Sequence, residues 1–410
     1  MNLAEKPPLP RAFWIALAAT ACFALGLTSM LPILPLFITD ELGAAEELIG
    51  TSTFLIAVTA AIVRIPGGAL SDRYGRRSLM LIGAALGVVA SVIYVISPNF
   101  AVFIVARLLS GISLALFTTT GKALVADLSP PARRGEALGF SNAAFSIAII
   151  VSPLLGEWLK NEVGFRAVFA SSGVLMAATL GITALLPGGK PARATGATAS
   201  RDIKDTLHER GIWAALFIMI GMGAIMALMF SYFPLLAERK ALFTDAPGMI
   251  SSITIGLGLS IWALTDTLIE PIAGGLSDRT GRQVIAIPGL IVAIGGVIVM
   301  SRAHDTLSTY LAVVMLSLGW GTTRGIADVI GQDVLPPMLR GMGAAVLYTS
   351  FDLAVGIDAQ VLGVLIDGSD YGQFFQTVLA MVIGFSIIGI VLATRLQSHD
   401  QRTIEAAYSD

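Results

Sequence analysis

The sequence predicts an all-α membrane protein whose twelve transmembrane helices form two pseudo-symmetric six-helix bundles, with both termini in the cytoplasm. The first observation is composition: of 410 residues, 55% are hydrophobic and 13% are charged, whereas soluble domains carry about 25% charged residues. The second is the length of the uncharged runs, since residues 12–39 and 79–105 each exceed the ~20 residues that span a bilayer. The third is a charged phrase that occurs twice, 206 residues apart.

Apolar runs bounded by turn and charge signals predict the individual helices. The first run follows Lys6 and Arg11 and is too long for a signal-peptide core of about 7–15 residues, so we expect an uncleaved first helix. The one cysteine, Cys22, lies within this run, so no intrachain disulfide can form. The predicted spans are 12–39, 49–71, 78–97, 100–126, 137–159, 165–187, 211–237, 248–276, 283–301, 307–332, 342–366 and 372–395.

The distribution of basic residues predicts the orientation of the helices. Seventeen of them fall in the termini and in the loops that follow even-numbered spans, whereas five fall in the opposite loops. Because cytoplasmic loops are enriched in Lys and Arg, both termini are predicted to be cytoplasmic. The predicted organisation is a bundle over 1–187, a cytoplasmic linker over 188–210, a second bundle over 211–396 and a cytoplasmic tail over 397–410.

The repeated phrase reads GGALSDRYGRR from residue 67 and GGLSDRTGRQ from residue 274, so that Asp72 aligns with Asp278 and Gly75 with Gly281, 206 residues later. A second match, DLSPPARRGEALG from residue 127 and DVLPPMLRGMGAA from residue 333, has the same offset. Glycines in such a loop permit a tight turn, and arginines can contact lipid phosphates or the negative ends of helices. Two matches at one offset indicate parallel repeats related by an axis along the membrane normal.

The phrase resembles the signature of the loop between helices two and three in the major facilitator superfamily, and the duplicated plan covers essentially the whole chain. Span one reads LGLTSMLPILP over 25–35, which is similar to a signature of the twelve-helix drug/proton antiporter branch. In span four, Arg107-x-x-Ser110-Gly111 resembles the R-x-x-Q-G motif of that branch, with Ser in place of Gln. Span five reads SPLLGE over 152–157 where the branch has G-P-x-x-G-G, so it keeps the proline and one glycine.

The resemblance implies a secondary transporter with alternating access, in which helices 1, 4, 7 and 10 surround a cavity and helices 2, 5, 8 and 11 lie between the halves. It also implies that the loop aspartate contacts the start of helix eleven and that the arginine of span four takes part in proton coupling. The residues predicted to form a conformational switch are Asp72, Arg73, Gly75, Arg76, Asp278, Arg279, Gly281 and Arg64.

Ionisable residues inside the spans are costly to bury and mark candidate functional sites. Asp266 lies deep in span eight without a basic neighbour on its own helix, so it is the preferred proton carrier, and Asp352 is the second choice. Glu270 follows Asp266 on the same helical face. With Arg107, these three carboxylates are the predicted proton-coupling residues.

Other charges in the spans are predicted to pair or to reach water. Arg324 and Asp328 are spaced i,i+4 on one helical face, so we expect a structural ion pair. Arg64 and Asp352 are predicted to form a latch between spans two and eleven, with two separately solvated residues as the alternative. Asp358 lies nearer the outer side, where we expect water to reach it.

The predicted substrate cavity contains aromatic, charged and proline residues from spans one, seven, eight and ten. For each aromatic ring, packing against lipid or another helix is the alternative. The cavity residues are Trp320, Arg324, Asp328, Trp262, Tyr232, Phe233, Pro32 and Pro35.

The sequence therefore predicts a multi-pass protein of a bacterial inner membrane that exports small amphipathic or hydrophobic compounds by proton-coupled secondary transport. Proton symport of a sugar or organic anion and the flipping of a lipid or lysolipid are the alternatives. No H-E-x-x-H, P-loop or G-x-S-x-G motif supports an enzyme. We expect a proton gradient as energy source without a cofactor or metal. The expected partners are a small-molecule substrate, protons and the bilayer, without nucleic acid, and we expect a monomer.

Overall fold

A computed structural model describes residues 8–130, 133–188, 210–246, 253–333, 340–366 and 371–409. Within these ranges it describes only the backbone of Ile65, Ala69, Asp72, residue 210 and residues 332–333, 340–345 and 395–409. The predicted linker, except residues 188 and 210, lies outside the described residues.

The described residues form twelve long helices and contain no strand. Ten of these helices are long and apolar enough to cross a membrane, and α10 and α11, which carry several of the predicted intramembrane charges, fall outside that set. The helices are α1 (Arg11–Thr28), α2 (Glu47–Tyr74), α3 (Arg76–Ile96), α4 (Phe100–Leu128), α5 (Arg134–Val163), α6 (Phe165–Ala184), α7 (Arg210–Ala227), α8 (Thr254–Thr280), α9 (Arg282–Arg302), α10 (Thr306–Asp333), α11 (Arg340–Leu365) and α12 (Gly372–Ser409).

Spans one and seven are interrupted, which corrects the prediction of continuous helices over 12–39 and 211–237. After α1 the chain turns and resumes as a short helix, Leu34–Leu36, and a π-helical turn, Phe37–Glu41. After α7 comes a π-helical turn, Leu228–Tyr232, and then the short helix Phe233–Arg239. A proline opens each short helix, and because proline lacks an N–H it cannot continue the i→i−4 ladder. At the other end of the chain, α12 continues to Ser409, so the predicted tail is helical up to that residue.

The chain divides into two compact units, Met1–Thr195 with Ala246–Ser260, and Gly196–Asp245 with Ile261–Asp410. In the first unit, buried side chains of α1, α3, α4 and α6 form a core around the stacked rings of Phe23 and Phe117, whose centroids are 4.1 Å apart. In the second unit, α7 is the most enclosed helix and packs against α10, α11 and α12. Residues 246–260, at the start of span eight, thus group with the first unit rather than with the other C-terminal helices.

The packing inside the two units repeats, as the sequence duplication predicts. In the first unit α3 packs on α4, while α1 packs on α5 and α6. In the second unit α9 packs on α10, while α7 packs on α11 and α12. Each helix of the second set lies six places after its counterpart, so the sequence repeat corresponds to a repeat of helix neighbours.

The repeated phrase forms the same turn in both units. Gly75 and Gly281 have φ angles of +91° and +100°, a backbone conformation that glycine adopts without a Cβ penalty. The N–H of each glycine donates to the carbonyl of the serine four residues earlier, Ser71 or Ser277, at 3.0 Å. The two turns therefore separate α2 from α3 and α8 from α9 by one residue each.

An arginine after each glycine ties the turn to the preceding helix. Arg76 donates from Nη1 to Ser71 Oγ at 2.5 Å, and Arg282 donates from Nη1 to Ser277 Oγ at 2.9 Å. Because the same bond recurs at equivalent positions, the arginines of the phrase have a structural role in both units.

Gly281→Ala is expected to destabilise the protein through the backbone alone. With φ +100° and ψ 145°, position 281 has a conformation that costs a non-glycine residue about 1–3 kcal/mol, and a Cβ there would meet no atom closer than 4.0 Å. Thermal unfolding in detergent should show a lower midpoint for this variant. Gly274→Ala in the same phrase, where a Cβ would meet nothing within 4 Å and φ is ordinary, is the control. Equal midpoints for both variants would contradict the assignment of strain.

Candidate functional site

A buried cluster of charges joins α8 and α10 in the second unit. Arg324 donates from Nη2 to Glu270 Oε1 at 2.7 Å and from Nη1 to Asp328 Oδ2 at 2.9 Å. The side chains of Arg324 and Asp328 are 11% and 12% exposed, whereas that of Glu270 is 45% exposed. One guanidinium therefore holds two carboxylates, one enclosed and one open to solvent.

Asp266 is the third carboxylate of the cluster, and it differs from the other two. Its Oδ1 is buried and forms no hydrogen bond with any described residue. This oxygen lies against α10, where a Cβ on Gly321 would be only 2.5 Å away. Asp266 lies one turn before Glu270 on α8, and Gly321 lies three residues before Arg324 on α10, so this carboxyl group lies beside the bonded groups without forming a bond to Arg324.

The same cluster contains an unpaired donor. The Nε of Arg324 is buried and, like Asp266 Oδ1, has no hydrogen-bond partner among the described residues. With all groups ionised, the cluster would contain three negative charges and one positive charge. Such an excess is costly in a low-dielectric interior, where a buried charge needs a partner.

Aromatic rings line one side of the cluster. The guanidinium carbon of Arg324 lies 4.6 Å from the ring centroid of Trp320, a distance at which a cation is attracted to the ring. The indole N–H of Trp320 donates to Met222 O on α7 at 3.2 Å. The ring of Trp320 also lies 5.5 Å from that of Trp262 and 6.2 Å from that of Phe351. The charges therefore adjoin a wall of flat apolar surfaces from α8, α10 and α11.

The predicted pair of Arg324 and Asp328 is confirmed by their hydrogen bond. The bond from Arg324 to Glu270 was not predicted, because it joins two helices that are separate in sequence. A usable signal was present: Glu270 lies ten residues before the end of α8, and Arg324 lies nine residues before the end of α10. Because α8 and α10 are separated by one helix, they run parallel and end at the same membrane face, so these two positions have nearly the same depth.

The other predicted coupling residues lie outside this cluster. Arg107 is 8% exposed and donates from Nε to Ser52 O at 3.4 Å, which ties α4 to α2. Asp352 is half-buried on α11. Roles for both in proton coupling stay predictions.

The predicted switch residues lie at the ends of α2, α3, α8 and α9. The side chain of Asp72 is outside the described residues, so its predicted contact with helix eleven stays a prediction. Arg76 forms an ion pair with Asp127 at 3.1 Å, and Asp278 forms one with Arg282. The remaining members have fewer described contacts: Arg73 lies over the ring of Tyr74 at 5.3 Å, Arg279 is exposed, and Arg64 is half-buried on α2. The predicted latch between Arg64 and Asp352 stays a prediction.

The predicted cavity residues are all interior. Tyr232 and Phe233 are fully buried, and the Tyr232 hydroxyl donates to Ala359 O at 2.5 Å. Trp262 is 2% and Trp320 is 5% exposed. Pro32 and Pro35 are buried at the interruption after α1. Their contact with a substrate stays a prediction.

Glu157, at the place where span five departs from the G-P-x-x-G-G motif, has a role that the sequence did not predict. Its carboxylate accepts the backbone N–H groups of Ile255 at 3.1 Å and Gly256 at 2.5 Å, and the residue is 6% exposed. A carboxylate is favourable at this position because the first N–H groups of a helix, here α8, lack intrahelical partners. The contact lies within the first unit and accounts for the grouping of residues 246–260 with α5.

The family model described as Major Facilitator Superfamily matches residues 16–359. Multidrug resistance protein 1 of Bacillus subtilis is 27% identical over 387 residues, which cover 92% of this chain and 94% of that protein. Multidrug resistance protein MdtH of Aeromonas hydrophila is 24% identical over 319 residues, which cover 73% of this chain and 79% of that protein. The crystal structure of the peptide transporter POT in complex with sulfate has a TM-score of 0.77 at 16% identity, covering 94% of this chain and 95% of that one.

Duplicated bundles of helices long and apolar enough to cross a membrane, with charges buried between them, are typical of membrane transporters. The chain belongs to the major facilitator superfamily, and the predicted all-α membrane fold is confirmed. It is a multi-pass transporter of the membrane in a family with bacterial members, which agrees with the predicted inner-membrane location. Because the family consists of transporters, its small-molecule partner is a transported substrate.

Arg324→Met is expected to destabilise the protein by removing the partner of two carboxylates. Breaking a fully buried pair costs about 3–5 kcal/mol, and the lower end of that range applies because Glu270 is 45% exposed. Chemical unfolding should show the loss, and adding Asp328→Asn should restore part of it by removing one unpaired charge. Arg302→Met, at an exposed position on α9, is the control. An Arg324→Met variant as stable as the control would show that the cluster is solvated.

Proposed function

We propose that this protein is a proton-coupled antiporter that exports small amphipathic or hydrophobic compounds, with Asp266 as the residue that carries the coupling proton. The observation that carries the proposal is the pair of unsatisfied buried groups in one cluster, the Asp266 Oδ1 acceptor and the Arg324 Nε donor. Coupling to protons requires an ionisable group whose charged form is stable in one conformation of the protein and unstable in another.

Protonation of Asp266 brings the cluster closer to neutrality. With the proton bound, one positive charge faces the two carboxylates that already accept its hydrogen bonds. A neutral Asp266 then needs no ionic partner in its position against Gly321. The bonds that Arg324 makes to Glu270 and Asp328, with none to Asp266, support this arrangement.

Loss of the proton changes the balance of bonds around Arg324. An ionised Asp266 becomes a strong acceptor, and the guanidinium has one donor, Nε, that is not in use. Turning that donor toward Asp266 strains or breaks the bonds to Glu270 and Asp328. Since these bonds join α8 to α10 and hold the turns of α10, deprotonation favours a different packing of the two helices.

Substrate binding next to the cluster would couple to the same groups. Glu270 is the carboxylate open to solvent, and Trp320 lies directly beside its arginine partner. Flat apolar rings beside an accessible acidic group suit amphipathic compounds, including organic cations. The names of the two multidrug resistance relatives support export as the direction.

The test uses purified protein in liposomes with an imposed pH gradient and a pH-sensitive dye inside. Amphipathic cations, neutral drugs, lysolipids and sugars are added in turn. For the wild type we expect an amphipathic compound to trigger proton counterflow, and for Asp266→Asn we expect counterflow to fall to the level of empty liposomes, because an amide cannot exchange a proton. Asp305→Asn is the matched control, since its side chain only caps the first turn of α10 and an amide can do the same.

Each other result would replace a defined part of the proposal. Proton movement in the same direction as a sugar or organic anion would indicate symport. Transport of lysolipid without proton movement would indicate a flippase. Counterflow that survives Asp266→Asn would keep antiport and move the coupling proton to Glu270 or Asp352.

A further inference from the structure

Asp358 on α11 is a buried carboxyl group that the proposed transport mechanism does not use. The residue is 2% exposed, and its Oδ2 forms no hydrogen bond with any described residue. It faces Gly223 of α7, where a Cβ would lie only 2.6 Å from Oδ2. The expectation from sequence that water reaches Asp358 is therefore wrong, because α7 covers it.

The helices that pack on α11 present no ionic partner to Asp358 in the described part of the chain. Helix α7 contains one charged residue, Arg210, thirteen residues before Gly223, and Glu238 and Arg239 of the short helix Phe233–Arg239 lie about fifteen residues after Gly223. Both separations are roughly 20 Å along the helix direction. Residues 372–394 of α12 contain no charged side chain. A titratable side chain that contacts α11 beside Asp358 is Tyr232, whose hydroxyl donates to the neighbouring Ala359 O at 2.5 Å.

The third neighbour, α10, has its charges at another depth and already engaged. Arg324 and Asp328 bond to each other, and Arg324 also bonds to Glu270. Asp358 lies eighteen residues from the start of α11, whereas Arg324 lies nine residues from the end of α10, a difference in depth of roughly 13 Å. No described ion pair connects this cluster to Asp358.

We propose that Asp358 is a second proton-binding site, which holds a proton while α7 packs on α11 and releases it to water when the two helices separate. An ionised carboxylate without a partner is strongly disfavoured in such surroundings, and a neutral one is tolerated. Ionisation and close α7–α11 contact therefore exclude each other. The inference goes beyond the proposed export function, since it holds whatever the protein transports.

The equivalent position in the first unit indicates that the helix contact at Asp358 does not require a carboxyl group for packing. The residue 206 positions earlier, Ser152, occupies the corresponding helix contact between α5 and α1, where its hydroxyl bonds to Thr28 Oγ1 at 2.5 Å. A satisfied hydroxyl pair thus serves the same contact in the first unit.

The chain is also irregular on the side of α7. The π-helical turn Leu228–Tyr232 begins five residues after Gly223, and such turns often occur at functional sites.

The test is an infrared pH titration that detects the C=O stretch of protonated carboxyl groups. It uses the full-length protein in lipid, with Asp266→Asn as the background so that the coupling site does not contribute. We expect a protonated-carboxyl band that persists above the pH at which exposed carboxyl groups ionise and that disappears when Asp358→Asn is added. Adding Asp305→Asn instead should leave the band unchanged. A band that is unaffected by Asp358→Asn, or absent from the background protein, would overturn the proposal.

A second variant keeps the proposal testable if Asp358→Asn fails to fold. Gly223→Ala places a Cβ against Oδ2, which should push α7 from α11, admit water and make the band disappear at lower pH. Gly384→Ala on α12, where a Cβ would meet nothing within 4 Å, is its control. Hydrogen exchange of residues 228–232 should rise as the band is lost. Exchange that does not follow the titration would show that protonation and helix packing are independent, and would overturn the proposal.

Discussion

The requirement that a charge removed from water must be paired or neutralised governs the second unit. Arg324 satisfies this requirement by bonding to Glu270 on one helix and Asp328 on its own, and so connects α8 with α10. Because Arg324 already bonds to two carboxylates, the cluster has no further positive charge to neutralise a third carboxylate, Asp266. The position of Asp266, and the proton chemistry proposed for it, follow from this shortage of positive charge.

Helix α7 contacts both of the proposed proton sites. Its Met222 O accepts the indole N–H of Trp320, the ring that lies beside Arg324. The next residue, Gly223, is the one that faces Asp358. Adjacent residues of one helix therefore contact both sites, so a movement of α7 changes the surroundings of both. The π-helical turn that follows gives this helix a break where such a movement can be absorbed.

Sequence reasoning succeeded where the signal is local and failed where it depends on which helices meet. Apolar runs predicted the helices, and i,i+4 spacing predicted the pair of Arg324 and Asp328, because one chain segment contains each pattern. The bond to Glu270 and the burial of Asp358 depend on neighbours distant in sequence. The interruption after α1 contains Pro32 and Pro35, but Pro66 and Pro153 lie inside unbroken helices, so a proline within an apolar run did not by itself identify the break.

The carboxylates of the charge cluster and of the two proposed proton sites all lie in the second half of the duplicated sequence. At the offset of 206 residues that relates the turns, Asp266, Glu270, Asp328 and Asp358 correspond to Ala60, Arg64, Lys122 and Ser152. Each of these four acidic positions is thus neutral or basic in the first half, while the glycine and arginine of the turn are the same in both. The residues that fix the backbone turn are therefore identical in the two halves, whereas the charged residues inside the helices differ. The proposed proton-binding residues Asp266 and Asp358 therefore have no acidic counterpart in the first half, so gain or loss of a proton at either one changes contacts within the second unit.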